Sequence, residues 1–165
     1  MRTQDIARLL GLALLWSFSF LFTRAAVAGF GAVGVVLARV SIAALVLHGY
    51  AVLTRQPLAL RTHWRHYIVL GLFQTAVPFL LFALALENIG ASLGSIVNAT
   101  SPLFGLIIAI AIGDEAPRWQ RIVGIALGIL GVVALVGIDN QTNMATYLPA
   151  ILLGLCATLS YGIAS

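Results

Sequence analysis

Long apolar stretches alternate with short polar breaks along the whole chain, which predicts an all-α, polytopic bundle of transmembrane helices. A helix needs about 20 apolar residues to cross the hydrocarbon core of a bilayer. About six stretches reach or approach that length. The predicted spans are residues 6–28, 32–53, 67–86, 91–112, 119–138 and 147 to the end of the sequence.

Two arginines decide where the first turn lies. If Arg24 and Arg39 were loop residues, the apolar stretches 9–23 and 25–38 would be too short to cross a membrane. A turn at Gly29-Phe30-Gly31 gives two full spans and places both arginines inside helices. A charge at that depth is costly, so we expect these two arginines to be functional.

The other arginines predict the orientation of the chain. All nine cationic residues are arginines, and seven of them lie in alternate breaks between spans: Arg2, Arg8, Arg55, Arg61, Arg65, Arg118 and Arg121. The intervening breaks contain none. Because positive residues stay on the cytoplasmic side, we expect the N-terminus, the loop over residues 54–66 and the loop after the fourth span in the cytosol.

Composition excludes several classes of protein. A hydrophobic fraction of 61% with 8% charged residues is incompatible with a soluble globular domain. The net charge of +4 is dispersed among loops and forms no basic face, so no nucleic-acid partner is expected. The sequence contains no metal-ligand cluster, no phosphate-binding loop and no grouped acid, base and nucleophile. We therefore expect neither an enzyme nor a cofactor, and no direct use of ATP.

Polar side chains gather near the middle of the first four predicted spans. Hydrocarbon cannot form hydrogen bonds with them, so they must face one another or a water-filled cavity. Hydrogen bonds between helices are one interpretation, and a substrate cavity near the membrane midplane is the other. The candidate substrate-binding residues are Trp16, Arg39, Gln74, Asn98, Ser101 and, nearer the outer end of its span, Arg24.

The fifth and sixth spans differ from the first four. Gly124, Gly128 and Gly131 form a small-residue ridge in the fifth span, which we expect to pack closely against a neighbour. In the sixth, Leu159-Ser160-Tyr161-Gly162 weakly resembles Leu15-Trp16-Ser17 of the first. Because a second five-helix unit would enter the membrane from the opposite side, this suggests an inverted repeat. We expect residues 1–146 to form the first repeat and 147–165 the first helix of an incomplete second one.

Several short motifs carry a resemblance to a known family. They are Leu15-Trp16-Ser17 with Arg24, Ala38-Arg39 with Ala43-Ala44-Leu45, Ser101-Pro102-Leu103, Gly113-Asp114-Glu115, Gln120-Arg121-Ile122-Val123-Gly124 and Gly131-Val132. In these residues the chain resembles the EamA-like members of the drug/metabolite transporter superfamily. Glu115 stands at the family's glutamate position and is expected to be structural, whereas Ser17 replaces a usual glycine.

The resemblance implies a fold and a function. Such proteins have ten helices in two inverted five-helix repeats, so this chain is expected to be truncated and to work as a homo-oligomer or with a missing C-terminal half. The expected activity is secondary, non-ATP transport of small metabolites or drugs, in the export direction, within a bacterial cytoplasmic (inner) membrane. Arg39 would attract an anionic solute, Gln74 and Asn98 would hydrogen-bond it, and Trp16 would form an aromatic wall.

Two alternatives stay open at this point. A small multidrug cation exporter usually needs an acidic group inside the membrane, and the predicted spans contain none near their midpoints. A non-transporting membrane scaffold or partner subunit would use the same polar residues only to join helices. Either way, the bilayer is the expected surrounding, and a small molecule is the expected partner of a transporter.

Overall fold

The computed structural model describes residues 3–55, 60–116, 118–139 and 144–164, and these ranges contain helices and no strand. The helices are α1 (Thr3–Leu53), α2 (Leu60–Leu70), a π-helical segment (Gly71–Ala76), α3 (Val77–Asn88), α4 (Ala91–Asn98), α5 (Ser101–Ala111), α6 (Trp119–Asp139) and α7 (Met144–Ala164). The predicted all-α, polytopic membrane bundle is confirmed. The predicted orientation of Arg2, and parts of the predicted loops at 54–66 and 139–146, lie outside the described residues.

Four helical stretches are long and apolar enough to cross a membrane: Gln4–Leu53, Thr62–Asn88, Ala91–Ala111 and Tyr147–Ala164. The first of these has 50 residues, more than twice the length that one crossing requires. A further apolar helix, Trp119–Gly131, is shorter within the part of the chain that the structure describes. These stretches fall on the six predicted spans, with the first two spans joined into one helical run.

Helix α1 reverses direction at Gly31, where the backbone has φ 68° and ψ 163°. Only glycine adopts this region readily, because a Cβ would clash with the backbone. Thr23 and Arg39, on opposite sides of the turn, line the same cavities. In a straight helix they would lie about 24 Å apart at about 1.5 Å per residue, so the two arms must fold back on each other. The predicted turn is thus present, at Gly31 itself.

The third span begins earlier than predicted and is interrupted. Helix α2 starts at Leu60, so the predicted loop over residues 54–66 is in part helical, with non-helical angles at His63. The π-helical segment then connects α2 to α3 at Pro78. A proline ring clashes with the carbonyl four residues earlier and lacks an N–H, and a local π turn is one way to accommodate it.

The fourth span, predicted as one helix, is broken between Asn98 and Ser101. Pro102 has no N–H to donate to the Asn98 carbonyl four residues earlier. The Ser101 hydroxyl donates to that carbonyl at 2.7 Å, and the Thr100 hydroxyl donates to the Val97 carbonyl at 2.7 Å. The two short helices α4 and α5 therefore meet at the depth where the predicted polar residues gather.

Helix α7 packs against α3, α4 and α5 and forms the centre of the core. The largest buried cluster joins residues of α3, α4 and α7 and of the segment between α3 and α4: Phe82, Ala85, Leu86, Ile89, Leu93, Val97, Ala150, Ile151 and Ala157. Glycine permits the close approach, since a Cβ on Gly162 would lie 3.0 Å from the backbone carbonyl carbon of Phe104. The sixth predicted span is therefore an integral part of this bundle.

Among the described residues, the predicted glycine ridge of α6 makes a close contact at one position. A Cβ on Gly128 would meet Leu103 at 2.8 Å, whereas Gly124 and Gly131 have nothing within 4 Å. At the start of α6, the Arg121 guanidinium forms an ion pair with the Glu115 carboxylate. That contact fits the structural role expected for Glu115, because it ties the connection after α5 to α6.

Candidate functional site

A cavity of about 460 Å³ lies where the helix interruptions of the third and fourth spans meet, and we call it the central cavity. Its lining residues are Trp16, Gln74, Asn98, Ala99, Ser101, Pro102, Gly105 and Tyr161. This volume falls within the range of small-molecule sites. Four of the six predicted site residues, from three different spans, are thus brought together around one space.

A second, much smaller cavity of about 30 Å³ shares Trp16 and Tyr161 with the first, and we call it the arginine cavity. Arg39 lines it, together with Ser19, Thr23, Leu86 and the rings of Phe20, Phe79 and Phe82. A space of this size holds about one or two water molecules. The fifth predicted residue, Arg39, is therefore beside the central cavity and separated from it by two aromatic side chains.

The guanidinium of Arg39 lies over the ring of Phe79, with its Cζ 4.2 Å from the ring centroid. A cation over an aromatic face is stabilised by about 0.5–2 kcal/mol, more when water is excluded. Among the described residues no carboxylate forms an ion pair with Arg39. The face of Phe79 balances part of the cost of the charge and leaves the guanidinium N–H groups able to bind an anion.

The rings around the arginine cavity support one another. Phe20 contacts Phe82 edge-to-face at a centroid distance of 5.4 Å, and Phe82 stacks on Tyr161 at 6.4 Å. Aromatic pairs at such distances are stabilising and hold each ring in a defined orientation. Tyr161, which lines both cavities, is thus fixed by α3 as well as by its own helix.

Arg24, the sixth predicted residue, is not at these cavities. Its guanidinium donates to the main-chain carbonyl of Leu86, and it lines a separate cavity that also contains Glu87. The Leu86 carbonyl is among the last four of α3, which have no donor within the helix. A cation at a helix C-terminus also interacts favourably with the helix dipole. The contact therefore gives Arg24 a structural partner near the end of the third span.

The chemistry of the two cavities is that of binding. Their described lining residues offer amides, hydroxyls, aromatic rings and one guanidinium, and they include no Asp, Glu or Cys. No group of three or more metal-ligating side chains occurs among the described residues. Such a set can hold a solute by hydrogen bonds and charge.

Comparison with known protein families now decides what kind of molecule carries these cavities. Residues 6–137, most of the chain, match the model of the EamA-like transporter family. The chain belongs to this family. No curated protein and no solved structure matches it. As an EamA-like protein it is an integral, multi-pass membrane transporter of small molecules.

Two residues of this EamA-like chain were missed by the sequence reasoning as members of the site. Phe79 looks like one of many apolar residues in its span, and only the folded hairpin brings it to Arg39. Tyr161 lies beyond the residues matched by the family model. The weak resemblance of Ser160-Tyr161-Gly162 to the first span was the signal in the sequence that could have indicated it.

Proposed function

We propose that the protein is a secondary exporter of small, carboxylate-bearing metabolites, with its substrate site in the central cavity. The observation that carries this proposal is the gathering of Trp16, Gln74, Asn98 and Ser101 around about 460 Å³, directly beside Arg39. A carboxylate would satisfy the guanidinium through charge-assisted hydrogen bonds, which are about twice as strong as neutral ones.

In this proposal each residue has a separate role. Arg39 binds the carboxylate from its position on Phe79, while Gln74 and Asn98 hydrogen-bond the polar part of the solute from the opposite wall. Trp16 and Tyr161 lie between the two cavities and control how far the carboxylate can approach the guanidinium. Amide side chains both donate and accept hydrogen bonds, so they fix the orientation of the solute and contribute little to the selection of its charge.

We further propose that the N-terminus faces the cytosol in a bacterial inner membrane, as the seven loop arginines indicate. Outward movement is part of the same proposal and is supported by the family resemblance alone. Residues 1–146 are proposed as one five-helix repeat, and the segment 147–165 as the first helix of a second, which is supported by the shared position of Trp16 and Tyr161 at both cavities.

The exposure of Arg39 supports the proposal that further helices complete the pathway. This arginine is exposed on the described bundle although its sequence position places it within a span. A guanidinium facing lipid at that depth would be costly. Additional helices, from a second copy of the chain or from a C-terminal half, would cover it and enclose the solute.

The scaffold alternative also has one specific observation in its favour. The Thr100 and Thr158 hydroxyl oxygens lie 3.2 Å apart, so some polar groups do meet between helices. Gln74 and Asn98 differ, because they line an open cavity. The cation-exporter alternative has less support, since no acidic side chain is among the described lining residues.

Transport by Arg39 variants tests the proposal. In proteoliposomes, a panel of carboxylate solutes and their methyl esters would be compared for wild type, Arg39→Ala and Arg39→Lys. We expect Arg39→Ala to reduce carboxylate transport about tenfold or more, since a hydrogen bond to a charged group contributes about 1.5–3 kcal/mol. Arg39→Lys should retain part of the activity, because it keeps the charge and loses the planar fork.

The matched control is Arg118→Ala, which removes an arginine that lies between α5 and α6 and lines neither cavity. It should transport like wild type. Wild-type carboxylate transport by Arg39→Ala would remove Arg39 from the substrate site.

A further inference from the structure

The π-helical segment leaves one main-chain carbonyl without a backbone donor. In this segment the N–H of Val77 donates to the carbonyl of Leu72, five residues earlier. The next residue in that register is Pro78, whose N–H would have gone to the carbonyl of Phe73. Proline has no N–H, so the Phe73 carbonyl cannot be satisfied within its own helix.

A side chain from another helix fills that place. The Ser160 hydroxyl of α7 donates to the Phe73 carbonyl at 2.8 Å, and Ser160 is only 5% exposed. A carbonyl without a donor is unfavourable inside a membrane, because no water is present there to supply the missing hydrogen bond. The third span therefore depends on α7 for the hydrogen bond that its proline removes.

In the fourth span, a carbonyl that loses its donor to a proline is satisfied by a hydroxyl of the same span. There, Pro102 removes the donor for the Asn98 carbonyl, and the neighbouring Ser101 hydroxyl takes its place at 2.7 Å. In both spans a serine hydroxyl replaces the N–H that a proline lacks, and only the source of the hydroxyl differs. In the fourth span the replacement is local, whereas in the third it fastens one helix to another.

The position of this bond relates it to the central cavity. Gln74, next to Phe73 in the π-helical segment, lines the central cavity, and Tyr161, next to Ser160, lines it as well. A π turn joins residues i and i+5, so it brings onto one side positions that an α-helix separates by about 140° at about 100° per residue. The π-helical segment ends at Ala76, between Gln74 and Phe79, and these two residues border the two cavities that share Tyr161. The register of the segment therefore sets the rotation of Gln74 relative to Phe79.

We propose that Ser160 is a positioning residue: its hydroxyl substitutes for the missing N–H of Pro78, holds the π register of the third span, and so keeps Gln74 at the central cavity. Without this bond the segment would tighten toward an α-helix and turn Gln74 away. The role assigned to Gln74 rests on the proposed function, whereas the link between Ser160, Phe73 and Pro78 does not.

A double-mutant cycle tests the link, because Pro78→Ala restores a backbone N–H. Ser160→Ala, Pro78→Ala and the double variant would be compared by thermal unfolding in detergent. Ser160→Ala should shift the folding equilibrium about two- to tenfold toward the unfolded state, the range for one lost hydrogen bond. In the Pro78→Ala background, the logarithm of the fold-change caused by Ser160→Ala should be less than about a third of its value in the wild-type background. The restored N–H of residue 78 then supplies the hydrogen bond that the Ser160 hydroxyl supplies in wild type.

Thr158→Val is the matched control. Thr158 is a buried hydroxyl on the same helix that contacts Thr100 of another segment, and its own hydroxyl donates to the Leu155 carbonyl. The shift of the folding equilibrium caused by Thr158→Val should be the same in the wild-type and Pro78→Ala backgrounds. Equal costs of Ser160→Ala in both backgrounds would overturn the proposal, because Ser160 would then act by packing alone. If Ser160→Ala does not fold, recovery of folded protein in the double variant supports the proposal and its failure to recover overturns it.

Labelling of a cysteine at position 74 tests the positioning itself, in protein whose native Cys156 is replaced by serine. Relative to the Gln74→Cys parent, Ser160→Ala should slow reaction with a water-soluble thiol reagent about two- to tenfold, and Pro78→Ala should restore the rate. An unchanged rate would show that Ser160 does not position residue 74. An unreactive parent would contradict the proposed cavity, while the unfolding cycle would still decide the role of Ser160.

Discussion

Arg24 and Arg39 lie in neighbouring spans and are stabilised in different ways. Arg24 caps the carbonyl of Leu86 at the end of α3, whereas Arg39 rests on the face of Phe79. A carbonyl partner occupies one of the five N–H donors of the guanidinium and holds it in place, while a ring face occupies none of them. Both residues were candidates in the sequence, and the structure distinguishes them by the partner that each contacts.

Substitution of Arg24 should therefore affect stability. Arg24→Ala is expected to lower the free energy of unfolding by about 1.5–3 kcal/mol, because the Leu86 carbonyl loses a charged donor. Arg24→Lys should lose less, since an ammonium can still donate one bond. Thermal unfolding in detergent measures both. A loss of transport with unchanged stability would mean that Arg24 acts on the substrate.

At this scale the sequence predicted which polar residues lie near one another more completely than it predicted their partners. Trp16, Gln74, Asn98 and Ser101 could be proposed because polar groups at one depth must meet somewhere. Phe79 could not, because an aromatic ring in an apolar span carries no signal of its own. Its contact with Arg39 depends on how the arms of α1 pack against α3, which a periodic pattern does not encode.

At the scale of elements, the turn in α1 depends on one glycine. Its φ of 68° with ψ of 163° lies in a region that other residues avoid. Gly31→Ala should destabilise the protein by about 1–3 kcal/mol, the usual cost of such backbone strain. Gly29→Ala is the matched control, because Gly29 is helical and a Cβ there meets nothing within 4 Å.

Thermal unfolding of the two alanine variants measures this difference. Gly29→Ala is expected to be neutral or stabilising, since alanine favours helix over glycine by about 1 kcal/mol. Equal unfolding temperatures for Gly29→Ala and Gly31→Ala would show that α1 does not need the turn at Gly31.

The spans themselves were predictable and their interruptions only in part. Apolar length located each span, and the cost of burying two arginines located the first turn. The prolines indicated that carbonyls would be freed in the third and fourth spans. They did not indicate that Pro78 would be met by a π turn and Pro102 by a break, because that outcome depends on hydroxyls nearby: Ser160 on another helix and Ser101 next in sequence.

At the scale of the whole molecule, α7 connects the family unit to the proposed site. The family model ends at residue 137, yet α7 packs at the centre of the bundle and contributes Tyr161 to both cavities. The short resemblance of its sequence to the first span was the only sign of this. Where a helix packs depends on long-range contacts, such as Gly162 against the backbone of Phe104, that no local pattern contains.

The central claim is that the polar residues of the first four spans line a water-accessible substrate cavity. Single cysteines at positions 74 and 98, in protein whose native Cys156 is replaced by serine, test it most directly. The matched control is Leu45→Cys, since Leu45 is 73% exposed on the second arm of α1 and lines no described cavity. In native membranes, a water-soluble thiol reagent should label positions 74 and 98 and leave position 45 unlabelled. If positions 74 and 98 react no faster than position 45, the polar residues only join helices and the cavity is not a transport site.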